Sequence, residues 1–259
     1  MTHPHAQSGS RVRLEWGPAG AALLGPVATV SVVVDVLGFT TTLSVATDRG
    51  VVVYPYRWAD EGAGRLATSL GATLAVGRRG TSPGQVSLSP GTVRSAADLD
   101  RVVLPSPNGS SISAALAAAG SRVVGACLRN RRAVAGHLAA VMAGDESASV
   151  AVIPAGERWP DGSLRPAVED LWGAGGVIAA LEDGGLTSVS EEARAAGTAY
   201  RLIEGRVGEA LAACSSGQEL IQGGYAADVT IAAELDSSES VPWLVDGAFV
   251  HHNEAAPPR

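Results

Sequence analysis

Asp35 follows the strongly apolar run Val30–Val34 and precedes three hydroxyls, Thr40, Thr41 and Thr42. A carboxylate at the end of a buried strand, with hydroxyls opening the next helix, suits a Mg²⁺ or phosphate site. Asp35 would then sit on the metal, and the threonines with the helix N–H groups on anionic oxygens. The same residues also make an ordinary strand end and N-cap. Ser106-Pro107-Asn108-Gly109-Ser110 forms a second cluster. Its Asn-Gly pair permits positive φ, and adjacent N–H groups could cradle an anion or simply close a turn. Asn130 stands beside Arg129, Arg131 and Arg132, either as a cap among solvated arginines or as part of an anion contact. Pro154-Ala155-Gly156-Glu157, and then Glu169-Asp170, add three acids able to supply oxygen ligands or a general base. Glu169 and Asp170 also suit the first turn of a helix, where the dipole favours carboxylates. Cys127 and His137 fit small buried and helix-face roles, and Asp228 is a salt-bridge partner or a further acid.

What the chain lacks narrows the chemistry. All 19 basic residues are arginine, which removes the lysines of P-loop, Schiff-base and haloacid-type phosphatase chemistry. Of the five histidines only His137 is internal, and Cys127 and Cys214 are the two cysteines. A Ser-His-Asp triad, a multi-histidine metal site and a cysteine zinc site are therefore poor expectations. No G-x-G-x-x-G follows the first strand, which argues against a dinucleotide-binding dehydrogenase. Carboxylates, arginine, hydroxyls and backbone N–H groups remain, a set suited to a hard cation and an anionic substrate. A net charge of −7 argues against nucleic acid and anionic membranes as partners. Residues 17–34 are uncharged but broken by Pro18, Pro26 and glycines, and are expected as a loop leading into a strand rather than a membrane span. No signal-peptide cleavage pattern follows Arg11 and Arg13, so a cytoplasmic protein is expected.

The elements that must position these clusters alternate between strand and helix. Strands are predicted at Val27–Val36, Val51–Tyr54, Thr73–Val76, Val102–Leu104, Arg122–Ala126, Ser149–Ile153, Ala226–Ala233 and Trp243–Val250. Helices are predicted at Thr40–Arg49, Trp58–Leu70, Ser110–Ala119, Arg131–Ala143, Val168–Glu182 and Glu191–Ala213, the last with a break near Gly197 or Gly205. Residues 77–98, rich in Gly, Ser, Pro and Arg, are expected as one long functional loop. The pattern predicts one α/β domain over residues 11–250, with tails at 1–10 and 251–259. Its architecture is a three-layer α/β/α arrangement around a mostly parallel or mixed sheet. In such folds the site lies at the carboxyl ends of strands, where every cluster above falls.

Taken in order, Asp35-Val-Leu-x-x-Thr-Thr-Thr42, a Gly-Arg loop with Ser89-Pro90, Asn108-Gly109-Ser110, Asn130, Ala155-Gly156-Glu157 and Glu169-Asp170-x-x-x-Ala-Gly175 resemble the 2-phosphosulfolactate phosphatase family. The resemblance runs from about Val30 to Asp228. It implies an α/β/α, Mg²⁺-dependent phosphatase that releases phosphate from 2-phospho-3-sulfolactate. On that resemblance Asp35, Glu157, Glu169 and Asp170 hold the metal. Thr40, Thr41, Thr42, Asn108, Gly109, Ser110 and Asn130 hold phosphate and substrate, and Arg79, helped by Arg78, neutralises developing charge. The attacking water would lose its proton to one carboxylate, with Asp35 and Glu157 as the catalytic pair. The chain departs from the family pattern in four places. Arg-Ala after the first strand becomes Gly38-Phe39, Gly-Glu-Arg becomes Gly77-Arg78-Arg79, Gly-Asn-Ser-Pro becomes Ser87-Leu88-Ser89-Pro90, and Thr-Asn-Gly-Thr becomes Pro107-Asn108-Gly109-Ser110. Three readings follow: a phosphatase of a small anionic phosphomonoester, the same enzyme with a changed substrate, and a catalytically silent member that binds a phosphorylated or sulfonated metabolite. A homodimer is compatible with the sequence, although no feature demands it.

Overall fold

Five consecutive β-branched or small residues, Val30–Val34, form a fully buried strand at the heart of a mixed sheet. The computed structural model describes residues 3–57, 60–82 and 84–251. The expected C-terminal tail beyond His251, with Trp58 and Ala59 at the start of one expected helix, lies outside the described residues. In chain order the elements are β1 (Val12–Leu14), α1 (Gly17–Leu24), β2 (Val30–Val34), α2 (Phe39–Asp48), β3 (Val52–Tyr56), α3 (Glu61–Leu70), β4 (Thr73–Leu74), α4 (Pro90–Ser95), β5 (Arg101–Pro105), α5 (Gly109–Ala118) and β6 (Arg122–Ala126). They continue with α6 (Arg131–Gly144), β7 (Val150–Pro154), β8 (Glu157–Arg158), β9 (Leu164–Arg165), α7 (Val168–Asp183), α8 (Glu191–Arg201), α9 (Val207–Ala213), α10 (Ser215–Gln222), α11 (Ala226–Ala232), β10 (Pro242–Val245) and β11 (Ala248–His251).

Among the described residues the main sheet has nine strands in the order β1-β7-β2-β6-β10-β11-β3-β5-β4. The β1-β7-β2-β6 and β3-β5-β4 groups are each internally parallel, and the antiparallel β10–β11 hairpin joins them. The three antiparallel pairings reverse the second group relative to the first. Twist accumulates over the five steps from β2 to β5, at about 20–25° per step. It swings the carboxyl end of β5 back toward that of β2, where Gly109 meets Asp35. Val30, Val32 and Val34 face one core with Leu138 of α6 and Val177 and Ile178 of α7. Val33 faces the other with Phe39 and Leu43 of α2 and Ile112 and Leu116 of α5. Helices thus cover both faces, giving the three-layer α/β/α fold. No helix among the described residues is long and apolar enough to cross a membrane.

Several local expectations are corrected. The stretch expected as a loop before β2 contains α1, because Pro18 at its first turn costs no hydrogen bond there. Residues 77–98 are not loop throughout, since Ser89-Pro90 opens α4. Ala226–Ala233 is the helix α11 rather than a strand: its short apolar run has no decisive period, and Asp228, Ile231 and Ala232 share its buried side. Trp243–Val250 folds into two strands about Asp246-Gly247, both at positive φ. The expected long helix from Glu191 ends at Arg201, and a 3₁₀ turn over Glu204–Arg206 separates it from α9. In the expected N-terminal tail, Gln7 Nε2 donates to the Leu14 carbonyl at 2.7 Å.

Candidate active site

Asp35 lies just past β2, and the threonines after it lock its backbone. Asp35 N–H donates to Thr40 Oγ1 at 2.9 Å, and that hydroxyl donates to the Asp35 carbonyl at 2.8 Å. Thr41 Oγ1 donates to the Val36 carbonyl at 2.6 Å, and Thr42 Oγ1 lies within reach of the Gly38 and Leu88 carbonyls. All three hydroxyls are buried and spent on shaping the 35–38 loop. The Asp35 carboxylate accepts from the N–H of Gly109 at 3.2 Å and from that of Phe39. The first turns of α5 and α2 therefore converge on one acid. Two glycines allow this approach. A Cβ on Gly38 would come within 2.3 Å of Asp35 Oδ1, and one on Gly109 within 2.6 Å of Phe39 Cβ.

The other acids gather around Asp35. Asp170, at the start of α7, accepts from Val36 N–H at 2.7 Å and from Gly156 N–H at 2.9 Å. It ties the loop after β2 to the loop after β7, where Gly156 takes φ +66°, a conformation that favours glycine. That bend turns Glu157 toward Asn108, whose Nδ2 donates to Glu157 Oε2 at 3.0 Å. Glu169 is buried behind, against the Cys214 thiol. Among the described residues no three His, Cys, Asp or Glu side chains form a ready-made cage for a metal ion. The donors are nonetheless all carboxylate oxygens, and a hard cation such as Mg²⁺ needs only one or two of them beside water and phosphate.

Burial raises the Asp35 carboxyl to about 7, and the Glu157 charge adds to this against the opposing Arg78 and backbone donors. Burial, then the charges of Asp35 and Glu169, hold Asp170 well above the usual carboxylate range. Glu157 is also raised, chiefly by burial, with Asn108 and Arg165 opposing. These groups bind protons more tightly folded than unfolded, where carboxyls titrate near pH 4. Their stabilising contribution is complete below that value and is lost as pH rises through about 7. In chelator the melting temperature is therefore expected to fall by several degrees between pH 5 and pH 8. The fall should be shallower in Asp35→Asn, and parallel calorimetric profiles of the two proteins would contradict this.

The structure distributes the remaining candidates more widely than the sequence suggested. Arg78 reaches the site from the loop after β4. Its Nη2 donates to the Leu37 carbonyl at 2.7 Å, and its Nε to Asp228 Oδ2 at 3.1 Å. Asp228 in turn accepts from Ser89 Oγ at 2.5 Å. Arg79 points outward, 92% exposed and 3.7 Å from Glu219. Ser110 Oγ donates to the Leu104 carbonyl at 3.0 Å. Asn130 is spent on the Cys127 N–H and the Gly125 and Ser240 carbonyls, so it braces the strand ends. Arg129 and Arg131 are neither solvated surface nor anion contacts. Arg129 pairs with Asp48 and Glu234, and Arg131 with Glu204 and Asp236 while lying over the Tyr200 ring. Cys127 is fully buried and the His137 ring lies tilted against that of Trp243, so neither faces the acids as a nucleophile or base. Sequence reasoning missed Arg165 and Glu219, which act electrostatically on Glu157, because only the β8–β9 ribbon and the turn into α10 bring them near.

Two clefts flank the acids. One of about 260 Å³ meets Glu157 and Asn108, and one of about 410 Å³ is lined by Arg78, Arg79, Glu219 and Tyr225. A paired carboxylate centre with helix N-termini and arginine beside it can hold a cation and take a proton from water next to a bound anion. The chain matches the family described as 2-phosphosulpholactate phosphatase over residues 23–247. It is also similar to a protein of Deinococcus radiodurans named probable 2-phosphosulfolactate phosphatase. The two are 34% identical over 222 residues, covering 84% of this chain and 88% of the relative.

Proposed function

Because the chain belongs to the 2-phosphosulpholactate phosphatase family, we propose that it is a Mg²⁺-dependent phosphomonoesterase acting on a small organic-acid phosphate of the 2-phospho-3-sulfolactate type. The observation that carries this reading is the meeting of Asp35 and Glu157 with Asn108 and Gly109 at the ends of β2, β5 and β7. Asp35 and Glu157 would hold the ion, with Glu169 behind them. A bound Mg²⁺ would supply positive charge for the phosphoryl oxygens and acidify a coordinated water.

The chain's own residues do the rest. Glu157, oriented by Asn108 and raised in basicity by burial, takes the proton of the attacking water. Asp170 keeps the loops carrying Asp35 and Glu157 in register through its two backbone contacts. Arg78, anchored by Asp228, sets positive charge beside Asp35, and Arg79 lines the outer cleft through which an anionic substrate enters. Thr40, Thr41, Thr42 and Ser110 act by holding the two helix starts that face the phosphate. The buried free cysteines Cys127 and Cys214 suit the reducing cytoplasm.

Gly38 bears on this reading directly. Gly38→Ala places a methyl against Asp35 Oδ1, and a displacement of about 1 Å at a reacting group can cost about 10²-fold. Turnover is expected to fall by about that factor in steady-state assays, whereas unchanged turnover would show that the Asp35 orientation is immaterial. The reading as a whole is tested by phosphate release from a panel including 2-phosphosulfolactate and 2-phospholactate, with Mg²⁺ and with chelator. Mg²⁺-dependent release is expected. Binding without release from any member would favour a catalytically silent protein.

A further inference from the structure

Glu157 and Arg165 are direct partners in the antiparallel β8–β9 ribbon. Opposed residues of such a pair share a face, and the next residues along take the other face. Arg165 therefore stands on the Glu157 side. Arg158 and Leu164 stand on the opposite side, where they line the smaller cleft. The Glu157 side is turned to α10, because Arg165 Nη2 donates to Ser216 Oγ at 3.0 Å. The guanidinium also lies 5.9 Å from the ring centroid of Trp159, a large apolar side chain left exposed. Two contacts thus hold a half-buried cation beside Glu157.

What Arg165 lacks is an acid. Among the described residues it makes no ion pair, and Ser216 is its only hydrogen-bond partner. Its charge acts on Glu157 at a distance. The other arginines around the acids are committed or turned away. Arg78 is bound to the Leu37 carbonyl and to Asp228, Arg79 is exposed and faces Glu219, and Arg158 is exposed on the other side of the ribbon. The remaining N–H donors of Arg165 stay open, and a planar guanidinium fork matches the paired oxygens of a carboxylate or sulfonate. Helix α10 also borders the cleft that Arg78 and Arg79 line. Arg165 and that cleft therefore share one flank of Glu157, and the smaller cleft lies on the other.

We propose that Arg165 is the specificity-determining residue for the acid group of the substrate: its guanidinium binds the carboxylate or sulfonate next to the phosphate ester, while the phosphate occupies the Asp35 and Glu157 centre. The inference rests on the reading of Asp35 and Glu157 as that centre. An organic-acid phosphate brings the anion that Arg165 has no partner for within the chain. A neutral phosphomonoester leaves the half-buried guanidinium unpaired, and a site built to bond a polar group discriminates strongly against the analogue that lacks it.

Calorimetric dissociation constants on the full chain with Mg²⁺ test this without requiring turnover. The ligands are 3-phosphonopropionate, 3-phosphonopropane-1-sulfonate and propylphosphonate, none of which can be hydrolysed. At least one acid-bearing compound is expected to bind tenfold or more tightly than propylphosphonate, and the better of the two identifies the acid group. Arg165→Met should bring the affinities within about twofold of one another and leave that for propylphosphonate within about twofold of the parent's. Arg165→Lys keeps the charge without the fork and should retain about a threefold preference, which keeps the test decisive if methionine disturbs the ribbon. Equal affinities in the unaltered protein, no binding of any of the three compounds, or a preference that both variants leave intact would overturn the inference. Phosphate release from the ester panel judges the hydrolase reading separately, since a protein that hydrolyses esters without an acid preference keeps that reading and loses this one.

Discussion

Asp35→Asn is expected to lower kcat by about a thousandfold while the protein stays folded, within the about 10²–10⁴-fold span of a lost acid–base or charge-bearing group. Asparagine fits the same space and can still accept from the Gly109 N–H through its carbonyl oxygen. Its amide nitrogen would face donors or neighbouring acids and carries no charge for a cation. Relief of burial and of repulsion with Glu157 and Asp170 should leave the variant as stable as the parent near neutrality, or more so. Paired measurements of phosphate release and thermal unfolding check both parts. An active Asp35→Asn protein would remove Asp35 from the chemistry, and an unfolded one would make its role structural.

Gly175→Ala is expected to lower stability strongly. Gly175 lies on the face of α7 that meets α8, and an added Cβ would be 2.0 Å from the carbonyl oxygen of Ala196 and 2.6 Å from its carbonyl carbon. Both are backbone atoms and no rotamer relieves the clash, so the helices must separate. Overpacking of this kind costs about 3 kcal/mol, or roughly a 10 °C fall in melting temperature for a domain of this size. Because Glu169 and Asp170 lie in the first turn of α7, the shift also loosens the Asp170 bonds to Val36 and Gly156, and activity should fall with stability. Gly136→Ala on α6 is the control, since nothing lies within 4 Å of its added Cβ. Alanine there should be neutral or mildly stabilising.

The residues of the site differ in how far their sequence context reveals them. Asp35 stands out in the sequence as a carboxylate closing a strongly apolar strand, a pattern that an ordinary strand end also gives. Glu157 stands out because it too follows the end of a predicted strand. The long-range meeting of Asp35 with Gly109 and of Glu157 with Asn108 depends on strand order and twist, which single-strand patterns do not carry. The threonines were correctly placed at the head of α2, but their hydroxyls turn inward to backbone carbonyls, a choice that local spacing does not determine. Asn130 and the arginines beside it looked like possible anion contacts because their charge partners, Asp48, Glu204, Glu234 and Asp236, lie tens of residues away. Helix α11 reads as a strand in the sequence because its short run of apolar residues, interrupted by Asp228 and Thr230, fits either period, and only packing settles the matter.

The most direct test of the account is phosphorus NMR on 2-phospho-3-sulfolactate incubated with the full chain and Mg²⁺ in ¹⁸O-labelled water. The ester resonance is expected to be replaced by that of inorganic phosphate carrying a single ¹⁸O, with the replacement abolished in Asp35→Asn. An ester resonance that persists unchanged beside folded protein, or phosphate release that Asp35→Asn leaves intact, would contradict it.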